Sequence, residues 1–208
     1  MRTASILAAI ASGMILSISQ MTAAQSANER LPGLPTGPPS MPLHLKFGDP
    51  TLPPMAYTVF CLHYRDECRP RLMFRGGPVH LTEARWEDLK EVNATVNNAI
   101  ISEPNEGGLA TEVWLIDPKR GDCNDYAVSK RHRLLSRGWP ERALLLSEVE
   151  TVWGKHHLVL VVRTQSGDLI LDNLTAQIRP WPRAPYRWIR IQSPSNPRYW
   201  SIVAPRSV

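Results

Sequence analysis

The 208 residues carry 24 Lys and Arg against 19 Asp and Glu, a formal charge of +5, and 43% are hydrophobic. That is enough chain for one domain with a real core. The basic side chains are spread along the sequence and form no run or nucleic-acid motif, so neither DNA nor RNA is expected as a partner.

The chain opens with Arg2, then an uncharged stretch from Ala4 to Ile18, then the small-x-small triplet Thr22-Ala23-Ala24. An apolar run of about 15 residues is shorter than the roughly 20 that span a bilayer. It reads as a secretory signal peptide over 1–24, cleaved after Ala24. No stable membrane insertion is expected once it is removed, and the expected location is the periplasm. Residues 25–54 are dense in proline and glycine and read as a linker that becomes ordered near its end. A single domain is expected over 55–200, with 201–208 as a tail.

"AYTVFCLHY" reads as a short strand or extended segment leading into a loop between Cys61 and Cys68. Three cysteines in an exported chain leave one over. Cys61 and Cys68 are close enough to close a small loop as a disulfide, which an oxidising compartment favours, and Cys123 is then the free thiol. Farther on, Trp86, Leu89, Val92, Val96 and Ile100 recur at helical spacing behind a possible N-cap at Thr82.

A loop-like segment delivers the chain to "GDCNDYAVSKRHRLLSRG". Asp122 resembles an N-cap, Cys123 falls in the first turn, and Gly138 can end the helix. Four β-like segments follow, "RALLLSEVE", "HHLVLVVRT", "DLILDN" and "YRWIRIQS", joined by short connections. Helices first and consecutive strands afterwards predict an α+β fold with N-terminal helices packed on an antiparallel β-sheet.

The chemistry centres on Cys123. A helix N-terminus stabilises a thiolate through its unpaired N–H groups and its dipole, so a low-pKa, accessible thiol is expected there. The base is one of His156 and His157, which strand alternation turns to opposite faces. Asp172, at the end of the next strand, can orient that imidazole if the two strands pair as a hairpin. A different class of reading is a metal module, with Cys61, His63 and Cys68 as ligands and Cys123, His156 and His157 adding to them. "CLHYRDEC" lacks the usual C-x2-C half-site for zinc. A third reading is a catalytically silent domain that offers its groove to a partner.

"GDCNDYAVSKRHRLLSRG" followed by "HHLVLVVRTQSGDLILDN" resembles the bacterial transglutaminase-like cysteine proteinases, an exported branch of the papain-like transglutaminase-core fold. "VNATVNNAI", the tryptophan of "TEVWLIDP" and "FCLHYRDEC" extend the likeness to about residues 56–195. The resemblance implies a catalytic triad of Cys123, His157 and Asp172, with His157 chosen because the family's histidine directly precedes a "VLVVRT"-like strand. It implies an exported cysteine peptidase acting on a protein or peptide, such as a surface or periplasmic protein, and amide transfer would use the same triad. No cofactor is needed for that chemistry. LapG-like members carry a glutamate directly after the cysteine, and the acidic residues around it are implicated in calcium binding. Asp122 and Asp125 would be the metal ligands here, but the neutral Asn124 follows the cysteine and weakens such a site.

Overall fold

The computed structural model describes residues 43–70, 78–108 and 111–205. The expected signal peptide, the linker up to residue 42 and residues 206–208 of the tail lie outside them. The helices are α1 (Met55–His63), α2 (Glu83–Ala99) and α3 (Cys123–Ser136). The strands are β1 (Phe47–Thr51), β2 (Ile101–Ser102), β3 (Arg120–Gly121), β4 (Leu144–Glu150), β5 (His156–Thr164), β6 (Gly167–Leu171), β7 (Arg179–Pro180), β8 (Arg187–Gln192) and β9 (Trp200–Val203). Seven strands form one sheet in the order β1-β9-β8-β4-β5-β6-β7, with every neighbouring pair antiparallel. β2 and β3 form a short parallel pair apart from it. This is the α+β papain-like, transglutaminase-core arrangement, with the helices packed on the sheet and every strand of it but β1 following them in the chain.

Alternation along the strands divides the core. Leu158, Leu160 and Val162 of β5 join Leu144, Leu146 and Leu171 under the helices, where Leu89, Val92 and Val96 of α2 and Ala127, Leu134 and Leu135 of α3 meet them. Val159 and Val161 point the other way, into a second cluster with Leu145, Val149, Ile170, Trp181 and Ile191. With both faces covered, the central strands read as near-continuous apolar runs, and so they were legible in the sequence. Both sheet edges carry proline, Pro50 in β1 and Pro180 in β7. A residue without an N–H breaks the hydrogen-bonding edge that another chain could extend.

α2 begins as expected, with the Thr82 hydroxyl accepting from Arg85 N, and α3 ends at Gly138, whose φ of +81° suits a residue lacking Cβ. "AYTVFCLHY" is the exception. It forms α1 where an extended segment was expected. Ala56, Tyr57 and Phe60 are buried at helical spacing, and Tyr57 packs on Trp114 and Trp200 with ring centroids 5.6 and 5.4 Å away. That distant aromatic packing outweighs the β preference of Tyr57, Thr58 and Val59.

Cys61 and Cys68 are bridged, so their sulfurs are not available as zinc ligands, and Cys123 is the free cysteine. The bridged turn presents Glu67 to α3, where Arg131, 1% exposed, receives it. Arg131 Nη1 donates to Glu67 Oε2 at 3.0 Å and to its carbonyl at 2.9 Å, and Arg131 Nε donates to Leu144 O at 3.1 Å. His132 Nδ1 meets the other Glu67 oxygen at 2.7 Å. A buried guanidinium stripped of its carboxylate is costly, so Glu67→Ala should destabilise the fold by about 3 kcal/mol. A urea midpoint unchanged from wild type would show that Glu141, 3.5 Å from Arg131 Nη2, suffices alone.

Candidate active site

The site begins with the geometry that starts α3. Asp122 is in extended conformation and its carboxylate accepts from Asn124 N at 2.9 Å, while Asp125 Oδ2 accepts from Asp122 N at 3.0 Å, closing a reciprocal capping box. Asp125 Oδ1 also accepts from Leu115 N at 2.7 Å, which fastens the preceding loop to the helix. Gly121 leaves the space for this, since a Cβ there would lie 2.2 Å from Asp125 Oδ2. Burial raises the Asp125 carboxyl to about 6, against the lowering by the Leu115 and Asp122 N–H groups, and the charges of Asp122 and Glu112 add to the rise.

Cys123 follows the cap directly, and its sulfur faces the Leu158 N–H on β5. The thiol differs from the expectation of a low pKa. Burial pushes it up to about 12, opposed by the Leu158 N–H, and the carboxylates of Asp122, Glu112 and Asp125 push in the same direction as burial. The main physical reason is burial against β5, and the side chains capping the helix add negative charge where the dipole alone would have been positive.

His157 and Asp172 are brought together as the hairpin reading requires. β5 and β6 pair antiparallel, and His157 Nε2 lies 2.8 Å from Asp172 Oδ1 with both side chains buried. Asp172 Oδ1 also accepts from Leu174 N at 3.0 Å, and Oδ2 accepts from the Tyr186 hydroxyl. Burial works to raise Asp172, but the hydrogen bond and charge of His157, the Tyr186 hydroxyl and the Leu174 N–H together hold it below the ordinary carboxylate value. An ionised Asp172 makes Nε2 the donor, which leaves Nδ1 of His157 as the basic nitrogen. His156, by contrast, projects outward, its side chain 66% exposed and paired with Glu148. Cys123 touches β5 one residue beyond His157, but among the described residues its sulfur makes no hydrogen bond to either imidazole.

Tyr186 is a member of this chain of groups that sequence reading missed. Its ring centroid is 5.7 Å from that of His157, and burial, then the Asp172 carboxylate, drive its hydroxyl well above the ordinary range. The available signal was its place at the head of the segment read as the strand "YRWIRIQS".

Several oxygens of the acidic residues around Cys123, the atom type calcium prefers, already accept hydrogen bonds. Both Asp125 oxygens accept backbone N–H groups, and Asn124 Nδ2 donates to Glu112 Oε1 at 2.8 Å, an oxygen that also accepts from Trp114 Nε1 at 2.7 Å. Among the described residues no three His, Cys, Asp or Glu are grouped to hold a metal ion.

A family model described as bacterial transglutaminase-like cysteine proteinase matches residues 47–207. Among solved structures, EGTA-treated LapG of Legionella pneumophila aligns at 23% identity over 59% of this chain and 69% of its own, with a TM-score of 0.48. The calcium-bound form of that protein aligns at 22% identity over 59% and 73%, with a TM-score of 0.49. No curated protein matches the chain.

The raised thiol has a direct consequence. Iodoacetamide should modify Cys123 at pH 7 at least ~10-fold more slowly than free cysteine, with a rate that keeps climbing to alkaline pH. Mass spectrometry of the alkylated protein measures this, and a rate already at its plateau near pH 6 would show a preformed thiolate instead.

Proposed function

Because the chain belongs to the bacterial transglutaminase-like cysteine proteinases, we propose that it is an exported cysteine peptidase that cleaves a protein substrate through Cys123, His157 and Asp172. One observation carries the reading: His157 of β5 and Asp172, the residue after β6, form a buried, hydrogen-bonded pair, and the chain holds one free cysteine, Cys123, at the opening of α3 against the start of β5. Such a constellation suits nucleophile, base and orienter.

In the proposed reaction, His157 Nδ1 takes the Cys123 proton as the sulfur attacks the peptide carbonyl. The raised thiol makes proton transfer part of that attack, with no standing ion pair beforehand. Apo contacts of this kind tighten when substrate binds, and closing the sulfur to the imidazole is the work left to binding. The Cys123 backbone N–H, which the capping box does not use, would donate to the oxyanion. Collapse breaks the C–N bond, His157 returns the proton to the departing amine, and a thioester remains. Water, deprotonated by His157, then releases the acid and the thiol. Asp172 holds the imidazole in the tautomer that presents Nδ1, and it offsets the charge on the ring when that nitrogen is protonated.

The substrate would be a surface or periplasmic protein, reached after export through the N-terminal signal. The proposal includes activity without calcium, because the oxygens nearest the nucleophile are already spent on capping the helix and bridging Glu112 to Asn124.

Cleavage of a mixed peptide library, followed by mass spectrometry, tests the assignment. Cys123→Ala and His157→Ala should each lower kcat/KM by about 10^4 or more, Asp172→Ala by about 10^2 to 10^4, and His156→Ala by little. Hydrolysis that persists in Cys123→Ala would refute the nucleophile. Addition of EGTA should leave the wild-type rate unchanged, and loss of that rate with recovery on adding calcium would refute metal independence.

A further inference from the structure

The carboxylate that orients His157 is itself held at both oxygens. Asp172 Oδ1 meets His157 Nε2 at 2.8 Å and accepts from Leu174 N–H at 3.0 Å, while Oδ2 accepts from the Tyr186 hydroxyl. The Asp172 carbonyl adds a further tie, accepting from Asn97 Nδ2 of α2 at 3.0 Å. The imidazole and the Leu174 N–H thus serve one carboxylate oxygen. Among the described residues, Tyr186 supplies the donor to the other.

The fold gives Tyr186 a fixed seat for this contact. It follows the short helical turn Trp181–Arg183 and directly precedes β8, and its body packs on the core cluster that contains Val149, Val159 and Ile170. Val149 stands opposite His157 in the β4–β5 register, and directly paired residues send their side chains to one face. The two rings accordingly lie side by side, with centroids 5.7 Å apart and planes inclined by 53°. One side chain therefore meets both members of the pair, its ring beside His157 and its hydroxyl on Asp172.

An aspartate carboxylate turns broadly about its last torsion, so contacts to one oxygen leave its plane free. A donor on Oδ2 fixes that plane and aims Oδ1 at His157 Nε2. A hydroxyl donating to a carboxylate makes one of the stronger hydrogen bonds in proteins. Burial and the adjacent carboxylate drive the Tyr186 hydroxyl well above its ordinary range, so it remains a donor at neutral pH. Without that hydroxyl, Oδ2 would lie buried with no donor, and the carboxylate would turn or admit water.

We propose that Tyr186 is a positioning residue of the site: its hydroxyl fixes the Asp172 carboxylate so that Oδ1 faces His157 Nε2, and the imidazole is thereby held in the tautomer that presents Nδ1. The proposal rests on the reading of His157 and Asp172 as base and orienter. Tyr186 touches no reacting atom and acts through these two residues.

Proton–nitrogen correlation NMR of the neutral His157 ring reads the tautomer in the free protein, without substrate. Wild type should carry the ring proton on Nε2, and Tyr186→Phe should show a mixture of the two tautomers. With a peptide that wild type cleaves, Tyr186→Phe should lower kcat by about 10-fold, less than Asp172→Ala because the carboxylate remains, and leave KM within about twofold. A purely structural tyrosine would lower the melting point and leave both the tautomer and kcat as in wild type. Tyr186→Met serves if the phenylalanine variant does not fold. A wild-type ring protonated on Nδ1, a variant ring indistinguishable from wild type, or an unchanged kcat overturns the proposal. Hydrolysis that survives in Cys123→Ala would sink the peptidase reading on separate evidence, while the tautomer would still report on Tyr186.

Discussion

The capping box at the head of α3 is the constraint on which the site depends. Asp122 and Asp125 exchange hydrogen bonds across the first turn, and Asp125 reaches back to Leu115, so helix and preceding loop share one anchor. Further along the same loop Asp117 has a φ of 52°, an unusual conformation for a residue with a side chain. It is held by Ser129 Oγ accepting from its N–H and by Arg133 donating to its carboxylate, both from α3. This rigidity has a chemical consequence. The carboxylates that place Cys123 also oppose its ionisation, and a nucleophile so placed depends on a base to take its proton. Position and reactivity pull against each other within three residues, and His157 is where that conflict is resolved.

Much of this was legible in the sequence, because the signals involved are local. The start of α3 is a matter of side-chain chemistry over a few residues, and the apolar runs of β4, β5 and β6 follow from burial on both faces. An odd cysteine pointed to Cys123, strand alternation left His156 and His157 open as the base, and the family resemblance chose His157. What escaped was set by distant packing. α1 is helical because Tyr57 and Phe60 pack on Trp114, and Tyr57 on Trp200 as well. Tyr186 joins Asp172 because β8 and β6 lie on opposite sides of the β4–β5 hairpin and the connection between them crosses that sheet face. The thiol's pKa was misjudged for a related reason: the dipole can be read from the helix alone, whereas burial against β5 cannot.

Two adjacent residues of α3, Lys130 and Arg131, are almost fully buried cations, and the fold treats them differently. Arg131 is enclosed by Glu67, Glu141 and the Leu144 carbonyl, a fork of donors matched by acceptors in fixed positions. Lys130 has the face of the Tyr126 ring, with Nζ 6.0 Å from its centroid. The first arrangement ties the disulfide-bridged turn to the helix, and the second leaves a charge that can be given up. One helix therefore carries both a matched, clamping cation toward the turn after α1 and a buried amine that rests on an aromatic face.

β9, the last strand among the described residues, lies between β1, the first of them, and β8. The register joins Phe47 to Val203 and Thr51 to Trp200, so the two ends of the domain are stitched to each other at one margin of the sheet. Cys123, His157, Asp172 and Tyr186 all belong to the stretch between them. A chain emerging from N to C terminus can thus form the β4–β5–β6 meander and dock α3 on it while β1 waits without a partner. The margin of the sheet is completed only after residue 203 has arrived, so the order of synthesis separates assembly of the chemical centre from closure of the domain around it.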